Sequence, residues 1–325
     1  MTNACAFIQV DKEAIIQFFK MAAIYHSGER EIQNILGEGP IADRNGSIIT
    51  DTILKRSINF IEKQPMAIVS SKNNEGEVWT SLLVGNFGFT KVINPNTIVF
   101  DKNSISSNAD DIFYTNIRNH NQIGSLFIEL DTRKRFRVNG YCQLQDSLIE
   151  VKIIEAYPNC PKYIQRRIIS LPDYFEKLTP TTIEGNELSD TEIKWIENAD
   201  TFFVGSASIE GRLDASHRGG NPNFVEVLDN RTLKIPDYSG NSLYNTFGNI
   251  VQNPNVGLAF IDFEKGKTLQ LTGRATLLFD QRTEADLIKT NGTGRYWLFH
   301  TSRWIHTINH HHVDWKFLEY SPFNP

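Results

Sequence analysis

The sequence has few cysteines and no long apolar run, and both absences narrow the classes of protein it can encode. Its three cysteines are Cys5, Cys142 and Cys160. An odd number without CxxC spacing fits reduced thiols better than a disulfide framework or a zinc site. Charged residues at 11–13 interrupt the N-terminal apolar pattern, and no later run is long enough to span a bilayer. We therefore expect a cytoplasmic protein without a membrane partner.

The chain also lacks a field of positive charge and the commonest catalytic motifs. Its formal net charge is -5 with dispersed Lys and Arg, so we expect no nucleic-acid partner. No GxGxxG follows a strand and no GxSxG occurs, which argues against a dinucleotide-binding Rossmann site and a hydrolase elbow. His306 and the run at 310–312 suggest a metal, but consecutive extended residues point in alternating directions and no clustered carboxylates complete a ligand set. We expect no metal site.

The pattern that is present is that of a folded, strand-rich protein. Hydrophobic residues make up 40% of the chain and charged residues 22%. Helical spacing predicts helices over Val10–Ala23 and near Ile53–Glu62, and the run Met66–Ser71 before an Asn-Asn-Glu-Gly turn predicts a strand and hairpin. Strands then dominate to about residue 155.

An internal repeat organises these strands. At an offset of 135 residues, five identities align without a gap: Gly76 with Gly211, Ser81 with Ser216, Gly85 with Gly220, Phe89 with Phe224, and Thr97 with Thr232. After a shift of two, 123–128 overlies 256–261. Chance likeness between glycine-rich strand segments is the alternative, but turns and strands match together. The fold class we predict is mainly β with flanking helices (α+β), as two tandem small barrels: 1–157, a proline-rich connection at 158–190, and 191–325.

The most concentrated polar signal lies in the second copy, at 214–222. Ser216, His217 and Arg218 follow an alternating strand, and Gly219 and Gly220 would let a ligand approach the backbone. A polar hairpin turn is the alternative. Farther on, residues 236–245 lead into a helix ending near Val251, which Asn241 or Ser239 would cap and whose N-terminus suits a phosphate.

Three further groups of polar residues have both functional and ordinary structural interpretations. The connecting run 162–167 is rich in phosphate-binding side chains. His26 and Glu29 are a possible acid and base pair, although a solvated cap with an ion pair to Arg30 is the simpler interpretation. Arg133, Arg135 and Arg137 would share one strand face, as a nucleotide site or, by default, a solvated face.

The order of these motifs resembles the flavin-nucleotide-binding proteins related to pyridoxamine 5'-phosphate oxidase. The resemblance rests on Asp-x-Ser-His-Arg-Gly-Gly at 214–220, Pro-Asp-Tyr-x-Gly-Asn at 236–241 and Asn-Pro at 253–254. In the first copy and connection, 85–89, 132–140 and 159–165 are similar to the long, two-copy branch of that superfamily, so the likeness covers nearly the whole chain.

The resemblance implies two tandem FMN-binding split β-barrels with FMN at the barrel interface. Carried over by position, the cofactor-binding candidates are Ser216, Arg218, Asp237, Asn241, Asn245, Lys162, Tyr163 and Arg167, and His217 is the catalytic candidate. Asn245-Thr246 replaces the Arg-Lys pair of the true oxidase, which puts pyridoxamine phosphate oxidation in doubt. The first copy has Leu82-Leu83 in place of the His-Arg pair, so we expect one competent site per chain or one shared between copies.

The resemblance favours an FMN-dependent oxidoreductase in which the flavin exchanges a hydride with a small organic substrate or with NADH or NADPH. His217 would face the substrate, with both its neutral and charged forms accessible near pH 7. The alternatives are a flavin-binding or storage protein without turnover, and a cofactor-free interaction module. The chain would be a homodimer or an internal pseudo-dimer of its two copies.

Overall fold

A computed structural model describes residues 24–173 and 179–325 of the chain. The predicted helix Val10–Ala23 lies outside these described residues. Within them, two short helices come first, α1 (Ser27–Ile35) and α2 (Gly39–Gly46). No helix in the described ranges is long and apolar enough to cross a membrane.

The first barrel is a seven-stranded antiparallel sheet with two flanking helices. Its strands are β1 (Met66–Lys72), β2 (Val78–Val84), β3 (Thr90–Asn94), β4 (Thr97–Asp101), β5 (Gln122–Glu129), β6 (Lys134–Leu144) and β7 (Leu148–Asn159). The order across the sheet is β2-β1-β5-β6-β7-β4-β3. Helix α3 (Lys55–Glu62) precedes β1, a 3-10 turn spans Lys102–Ser104, and α4 (Ile112–Asn119) precedes β5.

The second barrel has the same plan. Its main strands are β10 (Thr201–Ala207), β11 (Leu213–Gly219), β12 (Glu226–Val227), β13 (Thr232–Pro236), β14 (Asn255–Asp262), β15 (Lys267–Leu278) and β16 (Tyr296–Ile308). They are ordered β11-β10-β14-β15-β16-β13-β12. Three helices accompany them: α5 (Asp190–Asn198), α6 (Asn245–Gln252) and α7 (Glu284–Lys289). The fold is thus mainly β with flanking helices, as predicted.

The connection between the barrels is itself structured. Strand β8 (Arg166–Ser170) pairs with the C-terminal strand β17 (Asp314–Glu319), and β9 (Thr181–Gly185) pairs with β16 of the second barrel. The segment therefore ties the C-terminus to the second barrel instead of acting as a plain linker.

The two barrels obey the offsets found in the sequence. Adding 135 to the bounds of β1, β2 and β4 gives those of β10, β11 and β13, and adding 133 to those of α4 and β5 gives those of α6 and β14. A bulge also recurs, between Asn139 and Gly140 in β6 and between Thr272 and Gly273 in β15. Sequence periodicity and strand order thus describe the same repeat.

The barrels pack directly against each other through a shared apolar cluster. It includes Ile68 and Leu126 from the first barrel and Phe203, Ala215 and Ala259 from the second.

Two glycines let these backbones approach. A Cβ on Gly124 would lie 2.7 Å from Asp214 Cα, and one on Gly257 would lie 2.6 Å from the Val78 carbonyl oxygen. Those distances are too short for a side chain, so glycine at both positions permits the interface.

Candidate functional site

A cavity between the two barrels collects most of the polar residues singled out in the sequence. We call it the arginine cavity, and its walls come from β6 of the first barrel, the connection at 159–163, β11, the loop 236–244 and the start of α6. Among the predicted residues it is lined by Ser216, His217, Arg218, Asp237, Asn241, Asn245, Lys162 and Tyr163. Distant segments therefore meet at one place because the barrels face each other.

Strand β11 carries the densest group of polar side chains in the wall. Arg218 is partly buried, and its Nε has no hydrogen-bond partner among the described residues. Its Nη1 lies 3.9 Å from Asp237 Oδ1, at the limit of an ion pair. Asp237 is engaged more closely by Arg295, whose Nε lies 2.9 Å from Oδ2. Arg218 thus keeps donor capacity for a ligand.

The first barrel contributes two arginines from the same face of β6, since residues two apart along a strand point the same way. Arg135 Nε donates to the Cys160 carbonyl oxygen at 2.7 Å, and Arg135 forms no ion pair with a carboxylate of the described residues. Burial and the charges of Arg137 and Arg218 lower the pKa of Arg135 to about 9, which leaves it protonated at neutral pH. A partly buried cation without a counter-ion favours an anionic ligand.

Arg137 is the buried member of this pair and is fully engaged. Its Nε lies 2.8 Å from Asp214 Oδ1, and its Nη1 donates to Tyr157 Oη at 2.6 Å and to Asn245 Oδ1 at 3.0 Å. It also donates to the Ser216 hydroxyl, which in turn donates to Asp214. Arg137 therefore fixes Ser216 and Asn245 in the cavity wall.

Helix α6 begins at the cavity, but its cap differs from the prediction. The capping position is Tyr244, at φ 60°, and its side chain makes no capping hydrogen bond to the helix. Asn241 Oδ1 accepts from Leu243 N within the preceding loop instead, so neither Asn241 nor Ser239 is the cap. The left-handed turn at Tyr244 changes the chain direction too sharply for either side chain to reach the first turn.

His217 lies at the wall but differs from expectation in its charge. Burial, together with the charges of Arg135, Arg218 and Arg167, lowers its pKa well below the ordinary value. The imidazole is therefore neutral at pH 7, and the expectation of both forms near neutrality is wrong. Neither ring nitrogen has a hydrogen-bond partner among the described residues, and Phe203 packs edge-on against the ring. Because a neutral imidazole both donates and accepts, it can bind a polar ligand atom.

The aromatic mouth of the cavity is formed by Tyr163 and Tyr238, whose ring centroids lie 4.9 Å apart. Tyr163 Oη donates to the Ser239 carbonyl oxygen at 3.1 Å. Lys162, beside it, places its Nζ 5.6 Å from the centre of the Phe323 ring. The connection thus reaches across to the loop that follows β13.

Arg167 is the one predicted residue that the structure places elsewhere. Its Nη2 lies 2.6 Å from Asp200 Oδ2, and its guanidinium stacks 4.3 Å from the centre of the Phe263 ring. Alternation along β8 turns it away from the cavity while Lys162 and Tyr163, before that strand, remain at the wall.

The His26 and Glu29 pair also differs from its simplest interpretation. His26 caps α1 in a reciprocal capping box with Glu29, but Glu29 is buried, and Arg30 pairs with Asp43. Asn245 donates to Glu29, so α1 is linked to the cavity wall. Burial and the nearby charge of Glu155 raise the pKa of Glu29 to about 8.

The histidines that suggested a metal have other contacts. His310 Nε2 lies 2.8 Å from the Leu82 carbonyl oxygen, and the His311 ring packs edge-on against Trp315 at 4.8 Å. In residues 24–173 and 179–325, no group of three or more His, Cys, Asp or Glu side chains is placed to hold a metal ion.

The repeat relates the arginine cavity to a second place at the interface, around Ser81, which is occupied by protein side chains. Gln270, which matches Arg137 at the offset of 133, donates to the Thr80 carbonyl oxygen and to the Ser81 hydroxyl, both at 2.9 Å. These are the repeat partners of the Ala215 and Ser216 groups that Arg137 contacts. Leu82 and Leu83 are buried where His217 and Arg218 stand in the second copy. The first copy therefore has no counterpart of the His217 and Arg218 side chains at this place.

The arginine cavity suits an anionic group at its inner end. The cavity has a volume of about 100 Å³, which is the liquid volume of about three waters. A phosphate fits this volume, whereas a whole flavin nucleotide would extend through the mouth. The unpartnered Arg218 Nε and the Arg135 guanidinium are the donors that such a group requires.

Comparison with known proteins finds a family-model match in the second barrel. The family model described as pyridoxamine 5'-phosphate oxidase matches residues 190–308, which include β10, β11, α6 and most of the cavity wall from this barrel. Residues 190–308 of the second barrel are therefore similar to the pyridoxamine 5'-phosphate oxidase family. No curated protein sequence matches the chain.

The solved structures that match parts of this chain include three from different bacteria. A general stress protein 26-related protein of the pyridoxinephosphate oxidase family from Clostridium acetobutylicum is 14% identical, with 39% of this chain and 92% of that chain covered and a TM-score of 0.27. An FMN-binding protein from Syntrophomonas wolfei is 16% identical (32% and 82%, TM-score 0.25). An FAD-binding protein from Mesorhizobium loti is 11% identical (40% and 98%, TM-score 0.28).

Proposed function

We propose that this chain binds FMN in the arginine cavity and works as a flavin-dependent oxidoreductase on a small organic substrate, with NADH or NADPH as electron donor. The observation that carries the proposal is the meeting of Arg135 and Arg218 from two barrels at a cavity where neither has a close carboxylate partner. The family-model match in the second barrel agrees with a flavin.

Each part of the cavity has a distinct role in this proposal. Arg135, Arg218 and the Ser216 hydroxyl hold the phosphate at the inner end. Tyr163 and Tyr238 offer aromatic surface at the mouth, where the ring system would lie. His217 presents a neutral donor and acceptor. The bound flavin supplies the redox chemistry, and the residues supply binding and orientation.

The phosphate assignment is tested with Arg218→Ala. Loss of a charged hydrogen bond costs about 1.5–3 kcal/mol, so the Kd for FMN should rise roughly 10- to 150-fold. Arg231→Ala is the matched control, because Arg231 pairs with Glu187 at the surface, outside the cavity. Titration by flavin fluorescence measures both. Equal Kd values for the two variants would place the phosphate elsewhere.

Turnover is tested separately from binding. Anaerobic addition of NADH or NADPH to the FMN-loaded protein should bleach the flavin absorbance. Binding without bleaching by either nucleotide would support a flavin-binding or storage protein. Failure of the protein to bind added FMN would overturn both flavin functions and leave an interaction module.

A further inference from the structure

A second, larger cavity lies on the other side of the Arg135 wall. We call it the outer groove; it has a volume of about 430 Å³ and lies between α3, the start of β6 and the connection at 158–161. Arg135 and Asn159 line both this groove and the arginine cavity. The two spaces are therefore neighbours that share one wall.

The outer groove is strongly cationic. Among the residues that the structure describes, its lining has five basic side chains and no acidic one: Arg56, Lys63, Arg133, Lys134 and Arg135. Lys63 pairs with Glu129 at 2.6 Å and Arg133 with Glu319 at 3.1 Å. In the described part of the chain, Arg56, Lys134 and Arg135 have no such carboxylate partner. Three positive charges around the groove therefore lack an ion pair within the described residues, although Glu129 lies opposite Lys134 across the β5–β6 pair.

Its wall also offers aromatic surface. Phe60 is half-buried beside Lys63, whereas Phe136, which also borders the groove, is largely buried in the core of the first barrel. Aromatic faces next to cations are what a purine base with attached phosphates requires. A simple inorganic anion would need neither the volume nor the rings.

We propose that the outer groove binds the adenosine diphosphate moiety of a dinucleotide, with its phosphates toward Arg135 and its base toward Phe60. This inference rests on the proposed flavin site. The flavin bound there would be either the other half of the dinucleotide, as in FAD, or the group that accepts electrons from it, as with NADH or NADPH. Two sources share this chemistry. In FAD the moiety would continue from the flavin phosphate past Arg135 and Asn159, which line both spaces. In NADH or NADPH it would anchor the electron donor beside the flavin.

The test uses ADP as the probe, with and without FMN, on the wild-type chain and on Arg56→Glu/Lys134→Glu. Both replaced residues are exposed and lie outside the arginine cavity. The Kd for ADP, measured by calorimetry, should rise at least about tenfold in this variant, because two positive charges that attract the phosphates become negative charges that repel them. Arg282→Glu/Lys289→Glu, which reverses two exposed charges on the second barrel, should leave it unchanged.

The outcomes separate this inference from the flavin proposal. If FMN binds while ADP affinity is equal in both double variants, the groove inference is overturned and the flavin site stands. If ADP binds in a groove-dependent way while FMN does not bind, the flavin proposal fails and the groove remains a nucleotide site.

Two further arms identify the source of the moiety. A groove-dependent preference for FAD over FMN points to the flavin itself. A groove-dependent rise in KM for NADPH, at unchanged kcat, points to the electron donor.

Discussion

A buried neutral histidine at the cavity wall makes the stability of the protein depend on pH in a defined direction. The folded-state pKa of His217 is well below its unfolded value, because burial and three arginines oppose its charge. Below the unfolded pKa of about 6.5 the unfolded chain binds a proton at this histidine and the folded chain does not. The free energy of unfolding therefore decreases as the pH falls.

We predict that His217→Gln reduces this loss. Between pH 7 and pH 5 the free energy of unfolding should fall less steeply in the variant, by up to about 1.4 kcal/mol per pH unit below the unfolded pKa. Urea titrations at several pH values measure it, with His300→Gln, at an exposed position, as the control. Identical slopes for the wild type and His217→Gln would contradict the buried neutral imidazole.

Glu29 makes the opposite prediction. Its folded-state pKa is raised to about 8 by burial and by Glu155, so its contribution to stability is fully present below pH 4.5 and is lost as pH rises toward 8. Glu29→Gln should flatten the decline of Tm between pH 5 and pH 8. Exposed Glu31, on the same helix, gives the control Glu31→Gln. A decline as steep in Glu29→Gln as in Glu31→Gln would rule out a protonated Glu29.

At the scale of elements, the crossing of α1 and α6 couples the N-terminal helix to the cavity. A Cβ on Gly28 would lie 2.2 Å from the Gly248 carbonyl oxygen, so the helices touch backbone to backbone. This contact places Glu29 against Asn245 at the cavity wall.

We predict that Gly28→Ala separates the two helices. The variant should lose about 1–3 kcal/mol of stability through overpacking and bind FMN more weakly, because Asn245 loses its hydrogen bond to Glu29. Gly39→Ala is the control, since its nearest neighbour would lie 3.8 Å away. Melting curves and FMN titration measure the two effects. A Gly28→Ala protein with unchanged Tm would show that α1 is not packed as described.

The strands could be predicted from the sequence far better than the cavity. The 135-residue offset locates β10, β11 and β13 from β1, β2 and β4 because repeated residues make repeated local structure. For Arg135 and Arg137 the sequence predicts a solvated face by default, because alternation along β6 shows that they share a side but not what packs there. The comparison of Arg137 with Gln270 in the repeat was the available signal. The turn at Tyr244 gave no signal, because a left-handed conformation at a tyrosine is unusual.

At the scale of the whole molecule, the two barrels are alike in topology and different in chemistry. The same strand order and the same close glycine contacts recur on both sides of the interface. Polar donors line one of the two related places, whereas leucines and Gln270 fill the other. The symmetry of the fold therefore positions the site, and the departures from symmetry decide which side can hold an anion.

This asymmetry predicts the flavin stoichiometry. The wild-type chain should bind one FMN per chain, since the place around Ser81 lacks both the Arg218 equivalent and space, with Gln270 bonded to Ser81. Arg218→Leu, which reproduces Leu83, should weaken that binding roughly 10- to 150-fold without creating a second class of sites. Absorbance of released FMN against protein concentration gives the ratio. Two equivalents per chain, with one retained at full affinity in Arg218→Leu, would show that the first copy is competent after all.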